Sequence, residues 1–324
     1  MRYLRLSWLW LAIAVVVGAL AVAACGDDDD GDATPTAAPT ETVGATEAPP
    51  EAALFPVTVT DTNGNDVTFE EAPASVVALS PSFVEIFCEL DACDRLVAID
   101  ENSDYPPEVA DIPKLSGFSP SVEGIAESEP ALVVMSFDPG GLQEALEQLG
   151  ITVLFLDAPP SVAGVYEQIE ILGDVVGNPD GADELVASME SRVDALTVQL
   201  PEGEGPRVFH ELDNTFFTAG PGSFIADLYV ILGAQNIAGE ADSPFAQLSA
   251  EVIIEADPEV IILADEGLGE TVESVAARPG WDTISAVANG RIHGADPDLI
   301  SRPGPRIVDA LEQLAALLYP EVFA

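Results

Sequence analysis

Short apolar runs alternate with longer amphipathic stretches through most of this chain. Runs at residues 76–79, 96–99, 132–135, 152–156, 208–210 and 260–263 have the length and aliphatic content of buried strands. Between them, residues 83–90 and 142–149 carry apolar positions at helical spacing. The alternation predicts an α/β fold with largely parallel sheets, because a helix must carry the chain back before the next parallel strand. Ahead of it, residues 55–69 read as a hairpin. Val57 and Val59 alternate with threonines, Asn63-Gly64 supplies a tight turn, and Val67 and Phe69 return.

The pattern repeats once. Ser121, Glu123, Ile125, Glu127, Glu129 and Pro130 precede one strand run. Ser249, Glu251, Ile253, Glu255, Asp257 and Pro258 precede another, without a gap and 128 residues later. Ser82-Phe83 and Ser223-Phe224, each with its helix, are a second echo. Self-similarity at so long a period predicts two related lobes, not a solenoid. A long helix separates them: Asn178 caps it, Pro179 opens it, and Leu185, Met189, Val193, Leu196 and Leu200 share one face. It is expected over residues 178–201 and would reach roughly 33 Å. The lobes are then residues 54–177 and 202–324, the second closed by an amphipathic helix through Ile307, Leu311, Leu314 and Leu318.

The first 53 residues follow a different logic. Arg2 and Arg5 precede an almost wholly apolar run that ends in Val22-Ala23-Ala24-Cys25. Basic start, apolar middle and small residues before a cut describe a secretory leader over residues 1–24. An uncleaved membrane helix is the competing reading, since the run is near spanning length. A cysteine directly after the cut resembles a bacterial lipobox, which implies a lipid on Cys25. Residues 25–53 are Cys25 followed by mostly Asp, Thr, Pro, Ala and Glu, a composition that cannot offset the entropy of ordering and reads as a disordered acidic tether.

Composition then removes function classes. The net charge of −47, from 57 acidic against 10 basic residues, repels phosphates and argues against nucleic acid. With only His210 and His293 and three cysteines, little is left for a zinc or manganese site or for a catalytic nucleophile. There is no Gly-x-Ser-x-Gly elbow, and Lys114 lacks a phosphate-loop frame. His210 beside Glu211 is the one acid–base pair to weigh against a core histidine. No enzyme, no catalytic residue and no resident cofactor or metal is expected. Cys88 and Cys93 are five apart, a spacing that suits a disulfide outside the cytoplasm and equally two buried thiols.

Several stretches resemble a known family. Phe55-Pro56-Val57-Thr58-Val59-Thr60-Asp61 with the Asn63-Gly64 hairpin is similar to the entry of the helical-backbone solute-binding proteins for cobalamin and ferric siderophores. So are Val76-Val77-Ala78-Leu79-Ser80-Pro81, Ser103-Asp104-Tyr105-Pro106-Pro107-Glu108, Thr218-Ala219-Gly220-Pro221-Gly222-Ser223-Phe224 and Ser301-Arg302-Pro303-Gly304-Pro305-Arg306. The likeness covers residues 55 to about 320, and Asp104-Tyr105-Pro106-Pro107 leans toward cobalamin binders. It implies two α/β lobes joined by one long helix, little lobe motion, and a metal chelate held in the cleft between them. It also implies that Glu123 and Glu251, one on each lobe, dock arginines of an ABC importer's membrane subunits. The protein would then be an extracytoplasmic monomer held to the membrane only by its lipid. A lipid-anchored sensor of the same ligand is the alternative.

A bulky chelate with apolar faces and polar rims needs aromatic walls and a few placed polar groups. Loops after strands are where open α/β sheets hold ligands. The candidates are Ser82, Phe83, Tyr105, Phe118, Phe137 and Asp138 in the first lobe, with Asn214, Phe216, Phe217, Phe245, Asp265, Glu266 and Arg302 in the second. Each aromatic taken alone also suits a core. Arg302 suits either an anionic group on the ligand or a structural pair. Arg306, in the first turn of the last helix, opposes the helix dipole and is expected to pair with a buried carboxylate.

Overall fold

A computed structural model describes residues 54–266 and 269–323. The leader, Cys25 and the tether expected over residues 1–53 lie outside the described residues.

The first lobe opens with β1 (Val57–Thr60) and β2 (Asp66–Phe69), an antiparallel pair. Their connection is a five-residue loop, wider than the tight turn expected. Asp61 closes it by accepting hydrogen bonds from the backbone N–H and the side chain of Asn65, and Gly64 takes the left-handed φ of 83° that it needs. There follow β3 (Val76–Ala78), α1 (Pro81–Glu89), β4 (Leu96–Asp100), β5 (Lys114–Leu115), α2 (Val122–Ala126), β6 (Leu132–Met135), α3 (Leu142–Gln148) and β7 (Thr152–Phe155). The last five strands form one parallel sheet in the order β5-β4-β3-β6-β7. Cys88, near the end of α1, is disulfide-bonded to Cys93.

The chain then crosses to the second lobe through two helices packed together, α4 (Val162–Val176) and α5 (Pro179–Thr197). Gly177, at φ 77°, turns it between them. Gly173 lets them approach, because a Cβ there would lie 2.4 Å from that of Ala182. Only α5 had announced itself in the sequence, and it spans roughly 28 Å. Asn178 caps it by accepting from the Gly181 N–H at 3.1 Å and donates to the Leu90 carbonyl of the first lobe. At its other end Arg192 pairs with Asp309 and Glu312 in the last long helix.

The second lobe comprises β8 (Arg207–Glu211), β9 (Phe217–Ala219), α6 (Phe224–Ile231), β10 (Gln235–Asn236), β11 (Phe245–Gln247), α7 (Ala250–Ala256), β12 (Val260–Leu263), α8 (Val272–Ala276), α9 (Ser285–Ala288), β13 (Ile292–Gly294), α10 (Pro297–Ile300) and α11 (Ile307–Leu318). Strands β10-β8-β12-β13 form a parallel sheet, while β9 and β11 pair as a separate antiparallel ribbon.

The duplication is structural. β6 and β12 sit inside their sheets, and the helix ahead of each is capped by a serine: Ser121 accepts from Gly124 N–H, Ser249 from Val252 N–H. Ile125 and Ile253 are both fully buried. Glu129 and Asp257 both turn the chain with left-handed φ, 47° and 46°. The other echo is looser. Ser223 caps α6, whereas Ser82 lies one residue inside α1 and Ser80 holds the cap position.

Burial explains why the lobes behave as one body. One face of each sheet has its own apolar cluster, Val77, Val133 and Met135 in the first and Phe209, Ile261 and Trp281 in the second. The opposite faces join a single cluster that runs from Val76 and Leu132 through Ile169 of α4 and Met189 of α5 to Val208, Val260 and Leu311. Sliding one lobe on the other would expose that shared core, and hydrophobic burial opposes it at about 25 cal/mol per Å².

His210 and Glu211 do not form the acid–base pair weighed from the sequence. Neighbours on a strand point to opposite faces. His210 shares a 2.6 Å hydrogen bond between its Nδ1 and the Tyr229 hydroxyl, and Glu211 meets Arg278. Burial lowers the His210 pKa to about 4. The unfolded chain, with the imidazole near its usual 6.5, therefore takes up a proton first. His210 contributes stability above about pH 6.5 that is lost as pH falls toward 4, at up to about 1.4 kcal/mol per pH unit. Urea unfolding at about pH 7.5 and about pH 5 should show His210→Gln losing about 2 kcal/mol less than the wild type between them. Equal losses would rule this assignment out.

Candidate functional site

Because β3 to β7 run parallel, their C-terminal ends gather at one edge. Ser80 and Ser82 follow β3, Asp100 ends β4, Phe118 lies beyond β5, Ser136 and Phe137 follow β6, and Asp157 follows β7. Opposite them stand Phe224 at the start of α6, Phe245 of β11, and Ser301, Arg302 and Pro303 ahead of α11. These residues enclose two adjoining cavities of about 200 Å³ each, which share Ser80, Ser82, Ser136, Ser301 and Pro303. Four serines thus border both cavities, from buried Ser82 to exposed Ser301. Around the mouth, Phe118, Phe137 and Phe245 keep 74%, 53% and 48% of their surface in water. Full burial of a phenyl side chain is worth about 1.5–3 kcal/mol, so three left open at one mouth form an apolar rim without a partner.

The predicted residues divide into three groups. Ser82, Phe83, Phe118, Phe137, Phe245 and Arg302 line the cavities; Phe83, 2% exposed, is also core. Tyr105 and Phe217 are half-exposed but line neither cavity. Phe217 lies opposite Gln247 in the ribbon that carries Phe245, so both phenyl groups stand on one face of it. The remaining residues lie away from these two cavities. Asp138 accepts from the Leu142 and Gln143 N–H groups and so caps α3. Phe216, at φ 68°, turns inward onto Trp281 at 5.7 Å. Asn214 and Asp265 sit at the C-terminal end of the second sheet, Asp265 only 5% exposed, and Glu266 forms an isolated bridge with Glu270. Burial pushes the carboxyl groups of Asp265 and Glu211 above the usual range, for Glu211 despite its bonds to Arg278. Sequence reasoning missed Ser80, Asp100, Ser136, Asp157 and Ser301. The first four sit at or just past strand ends, where the strand-end rule already pointed.

Arg302 is not a free cation. Its guanidinium donates to Asp104 at 2.7 Å, to Asp298 at 2.6 Å and to the Asn102 carbonyl at 2.9 Å, and approaches Glu85 at 3.5 Å. Burial opposes charge on Asp104, yet the Arg302 contact holds its carboxyl below the usual range. Arg306 finds the buried carboxylate expected for it: its Nε and a terminal nitrogen donate to Glu85 at 2.9 and 2.6 Å. Its guanidinium also lies 4.1 Å from the centre of the Tyr105 ring. Glu85 is on α1 and both arginines flank the start of α11, so this cluster ties the lobes beside the cleft.

Glu123 and Glu251 occupy equivalent places. Each is the second residue of its helix, exposed, just ahead of β6 or β12. The Glu251 carboxyl is held below the usual range by backbone N–H and the Ser249 hydroxyl.

Comparison with known proteins places this geometry. The model of the periplasmic binding protein family matches residues 76–299. An ABC transporter substrate-binding lipoprotein of Bacillus subtilis, YvrC, itself uncharacterised, is 32% identical over 86% of this chain and 90% of its own length. The cobalamin-binding protein of Halobacterium salinarum is 31% identical over 82% of this chain and 74% of its own. The crystal structure of the vitamin B12-binding protein BtuF of Vibrio cholerae superposes with a TM-score of 0.67 at 25% identity, covering 76% of this chain and 97% of that one.

Removing the buried Glu85 carboxylate would leave the partly buried Arg306 without its charge partner. Glu85→Ala should cost about 3 kcal/mol, as breaking one side of a buried pair does, measured by denaturant unfolding. A loss under about 1 kcal/mol would demote the cluster to a surface-like pair.

Proposed function

The chain belongs to the periplasmic binding protein family, and from that premise we propose that it is the substrate-binding component of an ABC importer. It captures a bulky metal chelate, cobalamin or a ferric siderophore, in the cleft between its lobes and delivers it to the importer's membrane subunits. One observation carries the reading: Phe118, Phe137 and Phe245 stand open on two adjoining serine-lined cavities at the ends of the parallel strands. The enclosed volume is smaller than a corrin ring. The chelate therefore sits with one edge on the serines and its faces against the phenyl rim. The metal arrives with the ligand, and the protein supplies apolar contact and hydrogen bonds, not chemistry. A lipid on Cys25 keeps the chain, as a monomer, at the outer face of the membrane, a reading supported by the lipoprotein relative in Bacillus.

Delivery uses the two glutamates. Glu123 and Glu251 project from matching helices of two lobes that share a core, so their separation is set by the fold. Two carboxylates at a fixed spacing orient the protein on two basic pockets of the importer, and that spacing survives ligand binding.

Among the relatives, the Halobacterium protein is named for cobalamin binding, which makes cobalamin the first ligand to titrate. Calorimetry of the purified protein with cyanocobalamin should give one-to-one binding with submicromolar affinity. A folded protein that releases no heat with cyanocobalamin would move the assignment to ferric siderophores. In vesicles carrying the cognate importer, Glu123→Ala or Glu251→Ala should lower uptake about tenfold or more, while ligand affinity in solution stays unchanged. Undiminished uptake by the double variant would remove the docking role.

A further inference from the structure

Of the ten basic residues, Arg2 and Arg5 precede the described ones, leaving eight. All eight donate to the protein's own carboxylates or carbonyls. At the cleft this is most complete. Arg302, the one basic residue lining the cavities, is shared by Asp104, Asp298 and Glu85. Arg306 is held on Glu85, and Lys114, beside the same loops, donates to the Ser103 carbonyl at 2.5 Å. At the strand ends of the second lobe, Arg278 is bound by both oxygens of Glu211 and by Glu270, between Phe216 and Trp281. The charged groups the cavities otherwise present are of the other sign. Beside the neutral serines, Asp157 lines them in the open, Asp100 lines them while buried with one oxygen accepting the Asn102 N–H, and Gln168 gives one amide N–H to the Asp157 carbonyl.

We propose that this cleft selects its ligand by charge. It takes neutral or cationic metal chelates whose rim donates hydrogen bonds, and it rejects polyanionic ones. The proposal rests on reading the cleft as a chelate site. A carboxylate or catecholate rim would be desolvated against Asp100 and Asp157 with no uncommitted cation to meet it, in the field of a chain of net charge −47. Amide and ammonium groups meet the same surface as donors. A corrin edged with primary amides and a ferric trihydroxamate fit this description. A ferric tris-catecholate, with three negative charges, and haem, with two propionates, do not.

The test is a binding panel on the full chain at one ionic strength: cyanocobalamin, ferrioxamine B, ferric enterobactin and haemin, followed by quenching of intrinsic fluorescence and by calorimetry. At least one of the first two should bind about a hundredfold or more tighter than both anionic probes. If an anionic probe binds as tightly as the better of the neutral and cationic ones, the charge selection is wrong while the chelate site stands. If none of the four binds to folded protein, the chelate reading fails and takes this one with it. The cause is tested separately by Asp104→Asn combined with Asp298→Asn. Both side chains are half-exposed or more, and Glu85 still anchors the arginines. Leaving the Arg302 charge with Glu85 as its one remaining carboxylate, itself shared with Arg306, should tighten ferric enterobactin relative to cyanocobalamin about tenfold. An unchanged ratio would overturn the assignment.

Discussion

Glu85 is held almost wholly out of water on α1, with Arg306 gripping both of its oxygens and Arg302 close to one. An isolated carboxylate in that position would be expelled or protonated, since burial of an unpaired charge costs several kcal/mol. The two arginines make it tolerable, and they come from the segment that leads into α11, more than 200 residues away. The cluster therefore exists only when both lobes and the C-terminal helix are in place. Arg302 lines one of the cavities, so the feature that completes the fold also shapes the proposed ligand site.

Around this tie the apolar core is continuous. The facing sides of the two sheets, α4, α5 and α11 bury their side chains in one cluster. Two lobes with separate cores joined by a loop would hinge freely. Here a hinge motion would have to open shared core and break the Glu85 contacts together. The shared core opposes a change in the cleft or in the distance between Glu123 and Glu251. Recognition then depends on what the rim and the serine-lined cavities present, not on closure around the ligand.

The same chemistry sets the electrical character of the site. In a chain this acidic, Arg192, Arg207, Arg278 and Arg302 each meet two or more of its own carboxylates, and intramolecular pairing costs less ordering than waiting for a ligand. The cationic side chains near the cleft are spent on architecture. Serine hydroxyls, carboxylates and phenyl rings are what remains for the ligand.

Much of this was legible in one dimension. The strands at residues 132–135 and 260–263 carry uninterrupted aliphatic runs, and buried parallel strands require that composition whatever the context. The matched Ser-x-Glu-x-Ile segments preceding them announced the duplication, because capping and dipole rules act within one turn of helix. The phenyl rim was found where strand ends and turn residues coincide, at Phe118 and Phe137. What stayed hidden depends on distance through space. Nothing local tells Phe216 from Phe217, yet a left-handed φ sends the first inward to Trp281 and leaves the second at the surface. Arg302 was open to either role until Asp104, Asp298 and Glu85 were brought around it. α4 was passed over although Glu167, Glu170 and Asp174 mark an exposed stripe at helical spacing opposite its buried face. Local periodicity thus announced most of the elements and the repeat, and the short motifs carried the family resemblance. Partners far apart in the chain, gathered at one sheet edge, decided which side chains belong to the core, which to the tie and which to the ligand.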